Sequence, residues 1–205
     1  MNRSMLYVLF LIFALPSVVQ ATILNGGFES GLTSWTVSNA TKVSIFSSAT
    51  ADSGTVYTDP TQPGGHFASI SSGGSISQSF NVQTPGALLI NWAFLGRDSY
   101  PHDDAFSVSI NGYTVTLASI SIFGDYGDTG GWQQFSYPIT TPGNVSLTLT
   151  STNGLDRFID STGLVAEVRF EELSSVPEID VISTAPIVMI VIALLLGSER
   201  RRAAA

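Results

Sequence analysis

Apolar and polar residues alternate with a period of two along much of this chain, and this pattern constrains the fold more than any other feature. Phe106–Ile110 alternates strictly, and Asn111-Gly112 follows it as a two-residue hairpin signal. Val145–Thr150 and Leu164–Glu171 repeat the alternation. Because successive side chains of a strand point to opposite faces, these segments predict half-buried β-strands.

Two further segments extend the pattern. Ser75–Val82 places apolar residues mainly on one face and serines on the other, and Leu88–Leu95 is a nearly unbroken apolar run, typical of a central or doubly covered strand. No stretch of residues 22–173 keeps a 3.6-residue apolar period over three turns, whereas Gly- and Pro-containing turn pairs recur. The sequence therefore predicts an all-β fold, an antiparallel two-sheet sandwich of jelly-roll type.

The N-terminus has the pattern of a secretory signal peptide. Asn2 and Arg3 precede the apolar segment Met5–Leu15, and Val19-Gln20-Ala21 supplies a cleavage site. The alternative is an N-terminal membrane helix that stays attached, but the apolar segment is too short for one. We therefore predict a signal peptide over residues 1–21, removed by signal peptidase.

The C-terminus carries a second targeting pattern. Ile187–Leu196 contains no charged or polar side chain, and Val181–Gly197 is just long enough to cross a bilayer, which takes about 17–25 residues. Arg200, Arg201 and Arg202 follow at once, and such a cluster keeps its side of the helix in the cytoplasm. The predicted organisation is a jelly-roll domain (22–173), a linker with a sorting motif (174–180), a transmembrane helix (181–198) and a basic tail (199–205).

The motif before that helix consists of Val176, Pro177, Glu178, Ile179 and Asp180. With the helix and the arginines, it resembles the PEP-CTERM class of sorting signals, in its VPEID variant. The resemblance implies recognition by an exosortase, a transpeptidase-like membrane enzyme of Gram-negative bacteria that removes the tail. It also implies export across the cytoplasmic membrane, transient anchoring, and a final place at the cell surface or outside the cell.

Composition excludes several classes of function for residues 22–173. Thirteen acidic residues against four basic ones give a net charge of about −9, which argues against nucleic acid or anionic lipid as partners. The chain contains no cysteine, so disulfides and thiol chemistry are excluded.

Four short motifs in order carry a second resemblance. They are Asn25–Gly31 followed by Trp35, then His102–Gly112, Gly131–Phe135 and Asp160-Ser161. Together they resemble jelly-roll carbohydrate-binding modules and galactose-binding-like domains over most of residues 22–173. The resemblance implies the fold and leaves the ligand undefined.

In these relatives a structural calcium ion often joins the first and last strands, which the resemblance implies here as well. Glu29 matches the first ligand, but Ala166 stands where an acidic residue is usual in the last strand. The other candidate ligands are the loop carboxylates Asp103, Asp104, Asp156 and Asp160. The alternative is that these carboxylates are solvated or cap turns.

Carbohydrate binding is the more specific ligand hypothesis. Modules of this kind stack sugar rings on exposed aromatic side chains. Tyr57, Tyr100, Tyr113 and Tyr126 lie in or beside polar turns and are the candidate ligand-binding residues. The three tryptophans occupy strand or motif positions and are predicted to be core.

Catalysis has little support in the sequence. The chain has two histidines and lacks the His-x-x-x-His, Glu-x-x-His and Gly-x-Ser-x-Gly spacings. We therefore expect a non-enzymatic cell-surface or extracellular-matrix protein with a structural or adhesive role and an association with polysaccharide. The alternatives are a stand-alone, lectin-like carbohydrate-binding module and, less favoured, a polysaccharide hydrolase or lyase.

Overall fold

The computed structural model of the chain describes residues 23–155 and 158–173. The predicted signal peptide, sorting motif, transmembrane helix and arginine cluster lie outside these residues and stay predictions. Within the two described ranges, no helix is long and apolar enough to cross a membrane.

The described residues form β-strands with almost no helix, as the alternation predicted. Their helical segments are a 3-10 turn at Ala40–Lys42 and one α-helical turn, α1, at Ile120–Phe123. The strands are β1 (Thr36–Ser38), β2 (Val43–Phe46), β3 (Ser48–Thr50), β4 (Val56–Thr58), β5 (Phe67–Ser71), β6 (Ser75–Val82), β7 (Gly86–Leu95), β8 (Ala105–Ile110), β9 (Tyr113–Ser119), β10 (Gln133–Ile139), β11 (Gly143–Thr152) and β12 (Thr162–Glu172).

Two five-stranded sheets make up the sandwich. Sheet A has the order β1-β6-β11-β8-β9, and sheet B has the order β10-β7-β12-β5-β2. All paired neighbours are antiparallel. The short strands β3 and β4 form a separate hairpin. This arrangement confirms the predicted all-β, antiparallel two-sheet sandwich of jelly-roll type.

The β8–β9 hairpin shows how the sequence pattern becomes structure. Ile110 pairs with Tyr113, and the turn residues Asn111 and Gly112 have φ of 52° and 83°. A two-residue turn between twisted strands needs positive φ at both positions, which asparagine and glycine tolerate best. The asparagine Oδ1 also accepts a hydrogen bond from the Ser146 amide at 2.8 Å, which ties the turn to β11.

The main core lies between the two sheets, because the apolar side of each alternating strand faces inward. Phe106, Val108 and Ile110 of β8 are buried, as are Leu147 and Leu149 of β11 in the same sheet. Opposite them, sheet B contributes side chains from four strands: Val43, Ala68, Ile70, Leu88, Ile90, Trp92, Phe94, Val165, Val168 and Phe170.

Strand β7 is buried on both sides, which explains its unbroken apolar sequence. Its residues Ile90 and Trp92 face the main core, whereas Ala93 and Leu95 belong to a second, smaller cluster on the outer face of sheet B. This second cluster consists of Ala51, Tyr57, Phe67, Ala93, Leu95, Leu164 and Ala166, with Ala49 and Trp132 packed against it.

The chain before β1 is attached to the last strand. The Val168 amide of β12 donates to the Gly26 carbonyl at 3.0 Å, and a Cβ at Gly26 would lie 2.0 Å from the Val168 carbonyl oxygen. Phe28 and Trp35 stack at 5.3 Å, and the indole N–H donates to the Asn25 carbonyl. The N-terminal turn therefore lies directly beside β12, with no space for a side chain at Gly26.

Several loops gather at one end of the sandwich, which we call the loop end. They are residues 72–74, 96–104 and 124–132, which follow β5, β7 and α1, and residues 153–155 and 158–161, which follow β11. The buried Asp104 holds three of them together, because its carboxylate accepts from Ser72 Oγ, the Gly154 amide and the Ser161 amide at 2.8–2.9 Å. The Asp104 carboxylate therefore joins the described parts of these three loops through internal hydrogen bonds.

Candidate functional site

A groove opens between the β3–β4 hairpin and the outer face of sheet B. It has a volume of about 310 Å³ and is lined by Phe46, Ser48, Ala49, Thr50, Ser69, Ser71, Leu95, Arg97, Thr162 and Leu164. Its floor comes from β5, β7 and β12, and the hairpin forms one wall. The volume lies at the lower end of the range of small-molecule sites, about 300–1,000 Å³.

The hairpin is held over the sheet by the second cluster. Tyr57 of β4 is only 1% exposed, and its ring meets that of Trp132 edge-on at 5.8 Å. The Trp132 ring also packs against Phe67 of β5, and its indole N–H donates to the Thr58 carbonyl at 2.7 Å. These aromatic contacts fix the wall of the groove to its floor.

Asp128, in the loop after α1, anchors the hairpin from the other side. Its carboxylate accepts hydrogen bonds from the Tyr57 hydroxyl at 2.7 Å, from the Gly130 amide at 2.6 Å and from Ser53 Oγ. Burial raises the pKa of Asp128, but these hydrogen bonds outweigh it and lower the pKa below its usual value. Burial also raises the pKa of Tyr57 to about 12.

The groove combines an aromatic side chain with a guanidinium group. Phe46, the last residue of β2, is 46% exposed although it pairs with the buried Phe67. The Arg97 side chain is 38% exposed, and its guanidinium group donates to Asp52 Oδ1 at 3.1 Å and to the Thr50 carbonyl at 3.0 Å. Because two of its five N–H donors are used, Arg97 is held in place with donors left for a ligand.

The predicted tyrosines do not form one surface. Tyr57 is buried, so the expectation that it presents its ring to a ligand is wrong: its hydroxyl and ring serve the hairpin instead. Tyr100 and Tyr126 are exposed in two neighbouring loops, joined where the Tyr100 amide donates to Asp125 and the Tyr126 amide donates to the Asp98 carbonyl.

Tyr113 is exposed as well, but it lies at the far end of the molecule. It follows the β8–β9 turn, which is the opposite end of β8 from the loop end. Its ring centroid is 6.4 Å from that of Tyr137 on β10. Tyr113 therefore cannot share a ligand with Tyr100 and Tyr126 across a short site. The prediction that the tryptophans are core is confirmed for Trp35 and Trp92, which are buried, while Trp132 is half-buried.

The candidate metal ligands have separate partners in the protein. Glu29 accepts hydrogen bonds from the His66 amide and imidazole at 3.0 and 3.1 Å, and these lower the pKa of Glu29. Asp160 pairs with Lys42, and Asp104 binds the loop amides and hydroxyl described above. Among the described residues, no three acidic or histidine side chains are grouped closely enough to share a metal ion. A calcium ion at these residues stays a prediction.

Ala166 stands in the last strand where the modules that this sequence resembles usually have an acidic residue, and its surroundings are apolar. Ala166 is completely buried in the second cluster, beside a β-bulge between Val165 and Glu167. Glu167 instead forms an ion pair with Arg169 on the outer face. The Glu167 carboxylate therefore binds Arg169 of its own strand and accepts a hydrogen bond from Asn91 of β7.

Phe46 and Arg97 were missed by sequence reasoning. Phe46 ends the strand Val43–Phe46, in which Val43 and Ile45 face the core. Alternation therefore places Phe46 on the outer face of the sheet, and a large apolar residue on that face was the signal that could have identified it. Arg97 follows the apolar run of β7, and nothing local indicates that it meets Asp52, 45 residues away.

No protein-family model and no curated protein matches the chain. Among solved structures, the chain is similar to the carbohydrate-binding module TmCBM61 in complex with β-1,4-galactotriose, at 16% identity and a TM-score of 0.48, covering 75% of this chain and 99% of that one. It is also similar to the CBM22-1 xylan-binding domain from Paenibacillus barcinonensis Xyn10C, at 17% identity and a TM-score of 0.38, covering 73% and 94% of the two chains. These TM-scores are below 0.5, so the assignment of the fold rests on the strand order described above.

Proposed function

We propose that this protein is a carbohydrate-binding module without catalytic activity, which binds a neutral glycan in the groove at Phe46 and Arg97. This is the second of the functions considered from the sequence. It is preferred to a purely structural or adhesive role because a preformed groove with a fixed arginine is a feature of a ligand site.

The observation that carries the proposal is that an exposed aromatic side chain, Phe46, and a hydrogen-bonded guanidinium group, that of Arg97, line the same groove. An exposed aromatic ring offers its face to the C–H groups of a sugar. The guanidinium group offers hydrogen-bond donors to sugar hydroxyls, and Ser48, Ser69 and Thr162 add hydroxyls that both donate and accept. The groove has room for about one or two sugar rings, in line with its volume.

Charge favours a neutral ligand. Arg97 is already paired with Asp52, and residues 22–173 carry an excess of acidic groups. A uronate would gain little from a neutralised arginine and would meet a negative domain. A neutral hexose or pentose needs only donors, acceptors and an aromatic surface.

The residues that line the groove also suit ligand binding better than catalysis. Its ten residues include no Asp, Glu or His, the side chains that supply acid–base catalysis in glycoside hydrolysis. The proposal therefore assigns the groove to recognition.

The proposed place of action is the cell surface or the surrounding medium. This part of the proposal rests on the signal peptide over residues 1–21 and on the exosortase-type signal at Val176–Asp180 with its arginine cluster. Extracellular polysaccharide is then the natural class of partner for the groove.

A binding assay with matched variants tests the proposal. The full chain is titrated calorimetrically with neutral glycans (β-1,4-galactan, xylan, cellulose oligosaccharides) and with polygalacturonate. We expect binding to at least one neutral glycan, and a loss of at least about tenfold in affinity for Phe46→Ala, in keeping with about 1–3 kcal/mol for one aromatic contact.

Ile122→Ala provides the control, because Ile122 is an exposed apolar residue like Phe46 but belongs to α1 and does not line the groove. Its affinity should equal that of the wild type. Affinity for polygalacturonate above that for every neutral glycan, or a Phe46→Ala variant that binds normally, would contradict the proposal.

A further inference from the structure

Three aromatic rings contact one another along one side of the sandwich, where an edge of each sheet is open. β9 is an edge strand of sheet A, and β10 is an edge strand of sheet B. The Tyr137 ring of β10 lies 6.4 Å from the Tyr113 ring of β9 and 6.4 Å from the Phe135 ring, with planes 32° and 19° apart. We call Tyr113, Tyr137 and Phe135 the aromatic patch. It joins the edges of the two sheets.

The strand register brings these side chains together. Directly paired residues of antiparallel strands point to the same face of a sheet. Tyr113 pairs with Ile110, and Tyr137 pairs with Leu88, and both partners belong to the main core. Phe135 stands two residues before Tyr137 on β10, so it faces the same way. The three side chains therefore meet in the gap between the two edge strands.

Closing the core explains only part of the aromatic patch. Phe135 and Tyr137 are half-buried and pack against the main core. Tyr113 is 62% exposed and is not among the residues that pack there. Its hydroxyl has no hydrogen-bond partner among the described residues. An exposed ring that is supported by a second ring offers the kind of surface on which the C–H groups of a sugar stack.

A small cavity adjoins the patch at the far end of the molecule. It has a volume of about 180 Å³ and is lined by Asn111, Tyr137, Pro138, Ile139, Thr140 and Thr141. The Oδ1 of the asparagine binds the Ser146 amide, whereas its Nδ2 and both threonine hydroxyls have no partner in the described part of the chain. These exposed donors and acceptors, next to an aromatic ring, are the groups that sugar hydroxyls require.

The absence of charge narrows the class of ligand. Residues 105–124 and 129–154, which contain β8 to β11, include no Asp, Glu, Lys, Arg or His. The acidic residues Glu171 and Glu172 of β12 are separated from β10 by β7. An ionic ligand would therefore find no opposite charge on these four strands, whereas a neutral sugar needs none. We propose that the aromatic patch and its cavity form a second binding surface, separate from the groove, for a neutral oligosaccharide.

The two surfaces lie on different parts of the molecule. The groove lies on the outer face of sheet B and includes Thr162 at the loop end, whereas Tyr113 and Thr141 lie at the far end. One short oligosaccharide therefore fills one surface only. A long polysaccharide that engages both gains affinity, because its second contact is intramolecular. The inference rests on the proposed function for the choice of glycans as ligands.

Amide NMR on the labelled full chain, with galactotriose, xylotriose and cellotriose as probes, tests the second surface. In the Phe46→Ala background, which removes the aromatic ring of the groove, we expect residual binding with shift changes at Tyr113, Tyr137 and Thr141. Adding Tyr113→Ala should weaken that binding at least about tenfold, whereas Tyr113→Phe keeps the ring and should stay within about twofold.

Thr114→Ala is the matched control. Thr114 is the exposed neighbour of Tyr113 on β9, and alternation places it on the outer face of sheet A, where it pairs with Ser109. The variant should leave the binding at the aromatic patch unchanged. Weakening by Thr114→Ala as strong as that by Tyr113→Ala would overturn the assignment to the ring.

The outcomes separate the two proposals. Complete loss of binding in Phe46→Ala would overturn the second surface and leave the groove standing. Binding that depends on Tyr113 but not on Phe46 would support the aromatic patch and overturn the groove. Residual binding that ignores Tyr113→Ala overturns the aromatic patch. Shifts at Tyr113 that follow protein concentration without any glycan, with a doubled mass in ultracentrifugation, would assign the patch to a contact between two copies instead. Absence of any shift with all three trisaccharides overturns both proposals.

Discussion

Tyr57 illustrates how one buried residue serves the site without touching it. Its ring packs under Trp132, and its hydroxyl donates to Asp128, which also holds Ser53 and the Gly130 amide. The hydroxyl thus links the hairpin wall of the groove to the loop after α1. A sequence pattern that places tyrosine beside a turn does not distinguish this role from an exposed platform.

The raised pKa of Tyr57 predicts a loss of stability at high pH. The folded protein keeps the proton up to a pKa of about 12, whereas the ordinary tyrosine value is 10.0. The contribution to the free energy of unfolding is therefore complete below pH 10 and is lost as the pH rises towards 12. Urea unfolding at several pH values should show this loss in the wild type and a smaller one in Tyr57→Phe.

Tyr113→Phe is the control, because Tyr113 is exposed, and it should keep the wild-type loss at high pH. At pH 7 we expect Tyr57→Phe to unfold more easily by about 1 kcal/mol, since Asp128 loses a donor. Equal alkaline behaviour of the two variants would show that Tyr57 ionises as freely in the folded state as in the unfolded chain.

At the scale of elements, the contact between the N-terminal turn and β12 closes the sandwich. The Val168 amide donates to the Gly26 carbonyl, and Gln78 of β6 binds the Leu24 backbone from the other sheet. Hydrogen bonds from the backbone and from the Gln78 side chain thus join the N-terminal turn to the last strand of sheet B and to β6 of sheet A.

The two adjacent glycines of this turn give a matched test. A Cβ at Gly26 would lie 2.0 Å from the Val168 carbonyl oxygen, whereas a Cβ at Gly27 has nothing within 4 Å. Gly26→Ala must push the turn away from β12, at a cost of about 1–3 kcal/mol in the free energy of unfolding. Gly27→Ala should change it by less than about 0.5 kcal/mol. Similar urea midpoints for the two variants would contradict the described contact.

The strands that were predictable from the sequence are those with strong alternation. β6, β8, β11 and β12 carry their apolar face into the core, so their period of two was visible. The β3–β4 hairpin was not, because each strand has three residues and packs on the outer face of sheet B through few side chains. The groove depends on this hairpin, so most of the site could not be predicted.

At the scale of the whole molecule, strand β12 separates the groove from the C-terminal end of the described chain. Thr162, its first residue, lines the groove at the loop end, and Glu172 ends it beside Gly86 at the opposite end. The predicted linker and sorting motif follow at residue 174. The groove therefore lies at the opposite end of β12 from Glu172, the last residue of that strand.

Processing is the prediction that belongs to this scale. Signal peptidase should remove residues 1–21, and an exosortase should remove the segment that carries Arg200, Arg201 and Arg202. Intact-mass analysis of the protein from an exosortase-bearing native host should therefore give a mass that includes neither residues 1–21 nor the arginine cluster. Recovery of the complete C-terminus from that host would mean that the tail is a plain membrane anchor.

The central claim, that the groove binds a neutral glycan, is tested most directly by a structure of the full chain with a bound oligosaccharide. We expect a sugar ring on the face of Phe46, with hydroxyl groups hydrogen-bonded to Arg97 and to Ser69 or Thr162. A glycan seated instead at the far hairpin beside Tyr113, with the groove empty, would contradict it.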